Sequence, residues 1–100
     1  MVRHIVLYDI VSGLTDKEKS QVVVQIKSAL EGLNGLIPGL VELNVYTNLY
    51  DSSNADVVLF CVFENIDALN LYKNHPAHLK VADEVVRPMV VNRRCVDFEI

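Results

Sequence analysis

The sequence predicts an α+β fold of order β-α-β-β-α-β, in which one antiparallel sheet carries the helices on one face. Apolar runs typical of strands lie at residues 2–11, 40–48, 56–63 and 89–100. Amphipathic segments with helix-start signals follow the first and the third run. This order is that of the ferredoxin-like arrangement, and we expect residues 1–100 to form one domain.

The first half of the chain gives a strand and a long helix. The run from Val2 to Val11 has β-branched and aromatic residues at both parities, as expected of a strand covered on both faces. Thr15 and Glu18 have the Thr-x-x-Glu spacing of a capping box, so a helix is predicted to begin there and to run to about Glu31. Its apolar stripe consists of Val22, Val23, Ile26, Ala29, Leu30 and Leu33.

The middle of the chain predicts two more strands. The turn residues Ile37-Pro38-Gly39 precede a strand from Leu40 to Asn48. A polar loop at Tyr50 to Ala55 leads into a strand from Asp56 to Phe63 that is apolar at both parities. The last strand is predicted within Met89 to Ile100.

A break is predicted in the second helical region. Asn65 or Asp67 caps its start, and Pro76 ends the first helix near Asn74 because proline lacks a backbone N–H and restricts the residue before it. A second short helix should begin at Pro76, with His75 at the junction and His78 one turn in. A carboxylate, phenolate or enolate would be favoured near that helix start.

The composition excludes several classes of partner. The net charge of −4 and pI near 5.2 leave no basic patch for nucleic acid, and no apolar run is long enough to span a membrane. We therefore expect a soluble, cytoplasmic protein. Cys61 and Cys95 lie in strand-like runs without zinc spacing, so both are expected to be buried, reduced thiols.

The hydrophobic content of 51% points to self-association. In the predicted fold one sheet face stays open, yet the first and third strands carry apolar residues on that face too. Two copies packed sheet against sheet would bury it, so we predict a two-fold homodimer. Arg87, Arg93 and Arg94 are expected to stay solvated or to pair with Asp97 or Glu99 across the dimer.

The best candidate for catalysis is His78 with Tyr72, two side chains that the proline break could bring together at a cavity. The alternative is that both are structural, with the tyrosine hydroxyl satisfied locally and the histidines capping helix ends. The spacing His75-x-x-His78 is not expected to bind a metal because Pro76 disrupts the helical register. No nucleotide fingerprint or nucleophile motif is present, so no cofactor is expected. The predicted ligand-binding residues are His4, Val6, Tyr8, Val57, Leu59 and His75.

Five segments together resemble the stress-responsive A/B barrel (Dabb) family. They are Val2-Arg3-His4-Ile5-Val6-Leu7-Tyr8, Ile37-Pro38-Gly39-Leu40, Asp56-Val57-Val58-Leu59 leading to Phe63-Glu64, Leu71-Tyr72-x-x-His75-Pro76-x-His78, and Val96-Asp97-Phe98-Glu99. The resemblance covers nearly the whole chain and implies a dimeric α+β barrel. Most members have no assigned activity.

One plant branch of the family contains a polyketide cyclase that works by aldol condensation. The resemblance implies that its histidine base, the tyrosine that positions the base and a first-strand cavity histidine correspond to His78, Tyr72 and His4. A further cavity histidine of the cyclase falls at Val57, and its first-helix tyrosine falls near Ile26. These departures argue against the polyketide reaction and leave room for a different small ligand in the same cavity.

Two functions of different class follow, and the sequence leaves open whether the protein is an enzyme. In the first, a homodimer binds a small apolar or aromatic ligand without turning it over. In the second, a cofactor-independent cyclase, lyase or monooxygenase-like enzyme uses His78 as a general base on a carbonyl or phenolic compound. Few polar groups are expected in the cavity, which favours binding alone.

Overall fold

The computed structural model describes residues 1–100 and confirms the predicted α+β, ferredoxin-like order. Its regular elements are β1 (Val2–Ile10), α1 (Asp16–Glu31), β2 (Leu40–Tyr46), β3 (Val57–Phe63), α2 (Ile66–Asn74), α3 (Pro76–Val81) and β4 (Val90–Glu99). Between α3 and β4 the chain makes a π-helical turn at Ala82–Val86 and a 3₁₀ turn at Arg87–Met89, neither of which the sequence predicted. No helix is both long and apolar enough to cross a membrane.

The four strands form one antiparallel sheet in the order β2-β3-β1-β4. Alternate residues of β1 are buried beneath the helices, beginning with Val2 and ending with Ile10. Together with the inner faces of β3 and α1 they form the hydrophobic core. Strands β1 and β3 are central, whereas β2 and β4 are the edges.

Local signals set the helix boundaries as predicted. The Thr15 hydroxyl accepts from the Glu18 amide at 3.1 Å, and the Glu18 carboxylate accepts from the Thr15 amide at 3.0 Å, which completes the capping box. Asn65 caps α2 by accepting from the Ala68 amide at 2.8 Å. Helix α2 ends at Asn74 and α3 starts at Pro76, as the proline requires.

The sheet face away from the helices is mostly apolar and has no cover within the chain. Its central row joins Ile5 to Phe60 on one side and to Val96 on the other. The Arg3 guanidinium lies 4.1 Å from the centre of the Phe60 ring, so even the charged group here contacts an aromatic face. Phe98 also lies on this face and is 44% exposed. This surface is called the open face below. Its apolar residues agree with the prediction that β1 and β3 are hydrophobic on both sides of the sheet.

A β-bulge interrupts the pairing of β1 with β4. Leu7 pairs with Arg94 and Asp9 pairs with Val91, so Asn92 and Arg93 both lie opposite the single residue between Leu7 and Asp9. Asn92 has a φ of 54°, which asparagine tolerates better than most residues. The bulge makes β4 change direction beside the helices.

The prediction that both thiols are buried is wrong for Cys95. Cys61 lies on the central strand β3 and is buried, and burial raises its pKa to about 12. Cys95 is exposed because β4 is an edge strand that no helix covers. Both cysteines are free thiols.

Candidate functional site

A cleft of about 610 Å³ lies between the helix-facing side of the sheet and the α2–α3 region. Strands β1, β3 and β4 form its floor, and the π-helical turn forms part of its rim. Eight of its 14 lining residues are hydrophobic and six are polar, so the cleft has a mixed lining of apolar walls and polar side chains. The lining residues are His4, Tyr8, Leu30, Leu59, Tyr72, Lys73, His78, Ala82, Val86, Arg87, Val90, Val91, Asn92 and Arg93.

The Pro76 break brings His78 against Tyr72. Their ring centres are 4.2 Å apart with the planes inclined at 37°, so the two rings are in tilted contact, and no hydrogen bond joins them. Nδ1 of His78 lies 3.2 Å from the carbonyl oxygen of Lys73. Because a carbonyl can only accept, Nδ1 carries the proton and Nε2 keeps a free lone pair. Burial lowers the pKa of His78, although the Lys73 carbonyl opposes this, so the neutral ring predominates at pH 7.

The Tyr72 hydroxyl is buried without a hydrogen-bond partner, and it is the one buried side-chain polar atom of the chain in that state. The residue is 1% exposed and lies between His78 and the ring of Phe63, whose centre is 4.9 Å away. Burial raises its pKa well above the ordinary value, so it remains a neutral hydroxyl. It can donate to and accept from a group that enters the cleft.

His4 reaches the cleft from β1 and is held by Asp97 of β4. Nδ1 of His4 donates to the Asp97 carboxylate, which leaves Nε2 without a protein partner. Burial lowers the pKa of His4 despite the bond to Asp97. Burial alone would raise the pKa of Asp97, but the hydrogen bonds from His4 and Cys95 together with the nearby positive charge lower it. The pair is therefore a neutral imidazole beside a carboxylate. The ring centre of His4 is 6.3 Å from that of Tyr72.

The structure brings most of the predicted site residues to this cleft. His78, Tyr72, His4, Tyr8 and Leu59 line it. Two other predicted ligand-binding residues, Val6 and Val57, are fully buried in the core behind it.

His75 lies apart from the cleft. Its Nδ1 accepts from the Ala77 amide at 3.1 Å and so caps α3. It borders a separate shallow depression with Pro38 and Leu71. The structure thus gives His75 a role in holding the helix break.

Sequence reasoning missed five polar residues of the site: Lys73, Arg87, Asn92 and Arg93, which line it, and Asp97 behind His4. The expectation of few polar groups in the cavity is therefore wrong. Two of them, Arg93 and Asp97, could have been found from the sequence. Alternate residues of a strand face the same side, so Arg93, Cys95 and Asp97 are expected on one face of β4.

One group of side chains has donors that a metal ion could use. His4, Cys95 and Asp97 place one ligand atom each within 4.8 Å of one another, and Sγ of Cys95 lies 3.6 Å from Nδ1 of His4. Lys73 and Arg93 are close enough to affect the pKa of His4, which means that two positive charges face this group. Burial and Asp97 raise the pKa of Cys95, which disfavours the thiolate that a metal needs. The expectation of no metal stays a prediction.

The fold and the cleft define a class of protein: an α+β sandwich with an open apolar sheet face and a small-molecule-sized cleft beneath the helices. The family model described as the Stress responsive A/B Barrel Domain matches residues 2–100. The chain belongs to this Dabb family.

Solved structures with similar folds include proteins with and without an assigned activity. A dimeric protein of unknown function from Bacteroides fragilis is 28% identical, with a TM-score of 0.89 over 99% of this chain and 95% of that chain. A dimeric ferredoxin-like protein of unknown function from Thermobifida fusca is 26% identical, with a TM-score of 0.83 over 99% and 90%. Hydroxynitrile lyase from Passiflora edulis is 23% identical, with a TM-score of 0.77 over 99% and 92%, and shares the fold. No curated protein sequence matches the chain.

Proposed function

We propose that the protein is a homodimer that binds a small, largely apolar or aromatic molecule in the cleft lined by His4, Tyr72 and His78. The unpartnered Tyr72 hydroxyl carries this proposal. A buried hydroxyl without a partner costs the fold about 1–3 kcal/mol, and a ligand group that bonds to it removes that cost. The free Nε2 atoms of two neutral histidines give the same ligand two further acceptors.

A Tyr72→Phe variant is expected to weaken ligand binding about tenfold while raising the melting temperature of the ligand-free protein. Both effects have one cause, since the variant deletes a hydroxyl that is unsatisfied alone and satisfied in the complex. Native mass spectrometry of freshly purified protein identifies the bound molecule, and titration calorimetry with that molecule measures the affinity.

Tyr50→Phe is the matched control, because Tyr50 is 88% exposed and lies outside the cleft. It should change neither quantity. A Tyr72→Phe protein that binds as tightly as the parent would contradict the proposal.

The dimeric state is supported by the open face and by the relatives. The proteins from Bacteroides fragilis and Thermobifida fusca are both described as dimeric. In this chain Val96 and Phe98 are 51% and 44% exposed on a surface that is mostly apolar. Packing two open faces together would bury these side chains on both subunits and leave the two clefts on the outside.

The exposed thiol of Cys95 supports a cytoplasmic location, which we also propose. Free thiols persist in reducing compartments and pair in oxidising ones. Recovery of the native protein from a secreted fraction would contradict this assignment.

A second candidate is a cofactor-independent enzyme in which His78 moves a proton. The observation that favours it is the bond between Nδ1 of His78 and the Lys73 carbonyl, which fixes the tautomer that leaves Nε2 basic. In this reaction Nε2 takes a proton from the carbon next to a carbonyl, the C–H electron pair becomes the enolate, and the imidazolium then returns a proton to carbon. Tyr72 would donate to the enolate oxygen.

A His78→Ala variant is expected to slow deuterium exchange at the methyl group of acetophenone in D₂O by at least ~100-fold relative to the parent protein. The parent rate should rise with pH through a pKa below the ordinary value of 6.5 and be flat above it, because the pKa of His78 is lowered and its neutral form is the base. Proton NMR measures the loss of the methyl signal.

His75→Asn serves as the control, since asparagine also caps helices and His75 lies outside the cleft. Exchange at the parent rate in His78→Ala, or no exchange above the buffer rate in the parent, would remove this candidate.

A further inference from the structure

The cleft carries more positive charge than the ion pairs of the chain neutralise. Its lining includes Lys73, Arg87 and Arg93 but no carboxylate, although the whole chain has a net charge of −4. Arg87 pairs with Asp83. Lys73 and Arg93 form no ion pair. By contrast, Lys19, Lys27 and Arg94 form ion pairs, and Arg3 stacks on the Phe60 ring. Two free cations therefore remain at the cleft.

The strand register directs the Arg93 side chain to the helix-facing side of the sheet, where the cleft lies. Asp9 accepts from the side chain of Asn92 at 3.0 Å and pairs with Arg94 at 3.1 Å, so it holds the residues on both sides of Arg93. Arg93 lies on the helix-facing side with Cys95 and Asp97 and shares with Asn92 the bulge position opposite Tyr8, whereas Arg94 pairs with Asp9 on the other side. The Arg93 side chain lies beside the Tyr8 hydroxyl and the Cys95 thiol, but no carboxylate pairs with it, so its charge is available to a ligand.

The groups around Arg93 match an anionic ligand. Its charge acts on His4, Tyr8, Tyr72 and His78, all of which line the cleft. Among them, the buried Tyr72 hydroxyl lacks a partner, which independently indicates that a polar ligand atom belongs here. Deeper in, Leu30, Leu59 and Val86 offer an apolar wall.

We propose that the cleft is specific for a small molecule with an aromatic or aliphatic body and one carboxylate, with the carboxylate bound by Lys73 and Arg93 at the rim. Arg93 would take the carboxylate oxygens through its planar fork, and Lys73 would add a point charge. The body lies against the apolar wall with a polar substituent at Tyr72. This inference rests on the proposed ligand-binding function and adds the charge class of the ligand.

The test compares 4-butylbenzoate with 4-butylbenzamide, two probes of nearly the same shape that differ by one charge. Titrations of the protein are followed by calorimetry and by ¹⁵N chemical shifts. We expect the carboxylate to bind at least ~10-fold more tightly than the amide at low salt, with its largest shifts near Lys73 and Arg93. The preference should shrink as salt is raised, because the rim is exposed.

Arg93→Gln and Lys73→Met should each remove most of the preference by weakening carboxylate binding much more than amide binding, while Arg93→Lys should keep part of the preference. Lys80→Met is the matched control, since Lys80 is an exposed lysine on α3 that does not line the cleft. Retention of the full preference in both Arg93→Gln and Lys73→Met would overturn the inference.

The outcomes separate this inference from the function on which it rests. If both probes bind in the cleft with equal affinity, the ligand-binding function stands and the charge class is wrong. If neither probe shifts a cleft resonance at millimolar concentration, both are wrong. Shifts confined to another surface would also overturn the assignment to Lys73 and Arg93.

Discussion

A Gly39→Ala variant is expected to lose about 3 kcal/mol or more of unfolding free energy, which is a large part of the stability of a small domain. Gly39 has a φ of 82°, a conformation that costs an L-residue about 1–2 kcal/mol. In addition, a Cβ at this position would lie 2.5 Å from the Cβ of Ala68 on α2, so the turn before β2 and the start of α2 would have to separate. Urea denaturation monitored by circular dichroism measures the loss.

Two further variants divide this effect into its parts. Gly35 has nearly the same φ, 80°, but no atom lies within 4 Å of a Cβ built on it, so Gly35→Ala should show the conformational cost alone. The double variant Gly39→Ala, Ala68→Gly removes the clash and should recover part of the loss. Equal destabilisation by Gly35→Ala and Gly39→Ala would show that the contact with Ala68 is unimportant.

An Ile5→Lys variant is expected to weaken the dimer by at least ~1,000-fold. Ile5 lies in the central row of the open face, between Phe60 and Val96. In a two-fold dimer each lysine would be buried near its symmetry copy and near the Arg3 guanidinium on the same face. Burying an unpaired charge costs several kcal/mol, and about 4 kcal/mol corresponds to this change in affinity. Sedimentation equilibrium across nanomolar to micromolar concentrations measures the constant.

Val24→Lys provides the comparison for the dimer. Val24 is 64% exposed on α1, on the opposite side of the sheet from the open face. The Val24→Lys variant introduces the same charge on a surface that the proposed dimer leaves in solvent. Its dimer dissociation constant should therefore match that of the parent. A parent protein of about 11 kDa in solution, or a stable Ile5→Lys dimer, would contradict sheet-to-sheet packing.

The features that the sequence predicted correctly depend on residues close together in the chain. The capping box needs only Thr15 and Glu18, and the break between α2 and α3 needs only Pro76. The two-sided apolar pattern of β1 and β3 was also readable, because side-chain direction alternates strictly along a strand. For these reasons the fold, the boundaries of α1 and the meeting of Tyr72 with His78 could be anticipated.

The features that could not be anticipated depend on long-range pairing. His4 and Asp97 are 93 positions apart, and their contact depends on the register of β1 against β4. That register includes a bulge, which shifts the facing of Asn92 and the residues before it relative to an uninterrupted strand. The π-helical turn at Ala82–Val86 has no proline or glycine signal, so helical periodicity gave no warning of it. The asparagine at position 92 was the one hint of the bulge in the sequence, because asparagine accepts the positive φ that the bulge residue adopts.

The position of β1 in the sheet has a consequence for how the chain folds during synthesis. This strand is made first, yet one of its two neighbours is β4, the last element of the domain. Until β4 leaves the ribosome, the backbone groups along one side of β1 have no strand to pair with, and the hydrogen bond between Asn92 and Asp9 cannot form. Because the closing contacts span nearly the whole chain, the entropy of closing that loop must be overcome before they form. Folding is therefore expected to finish only after synthesis of the domain, in a late and cooperative step.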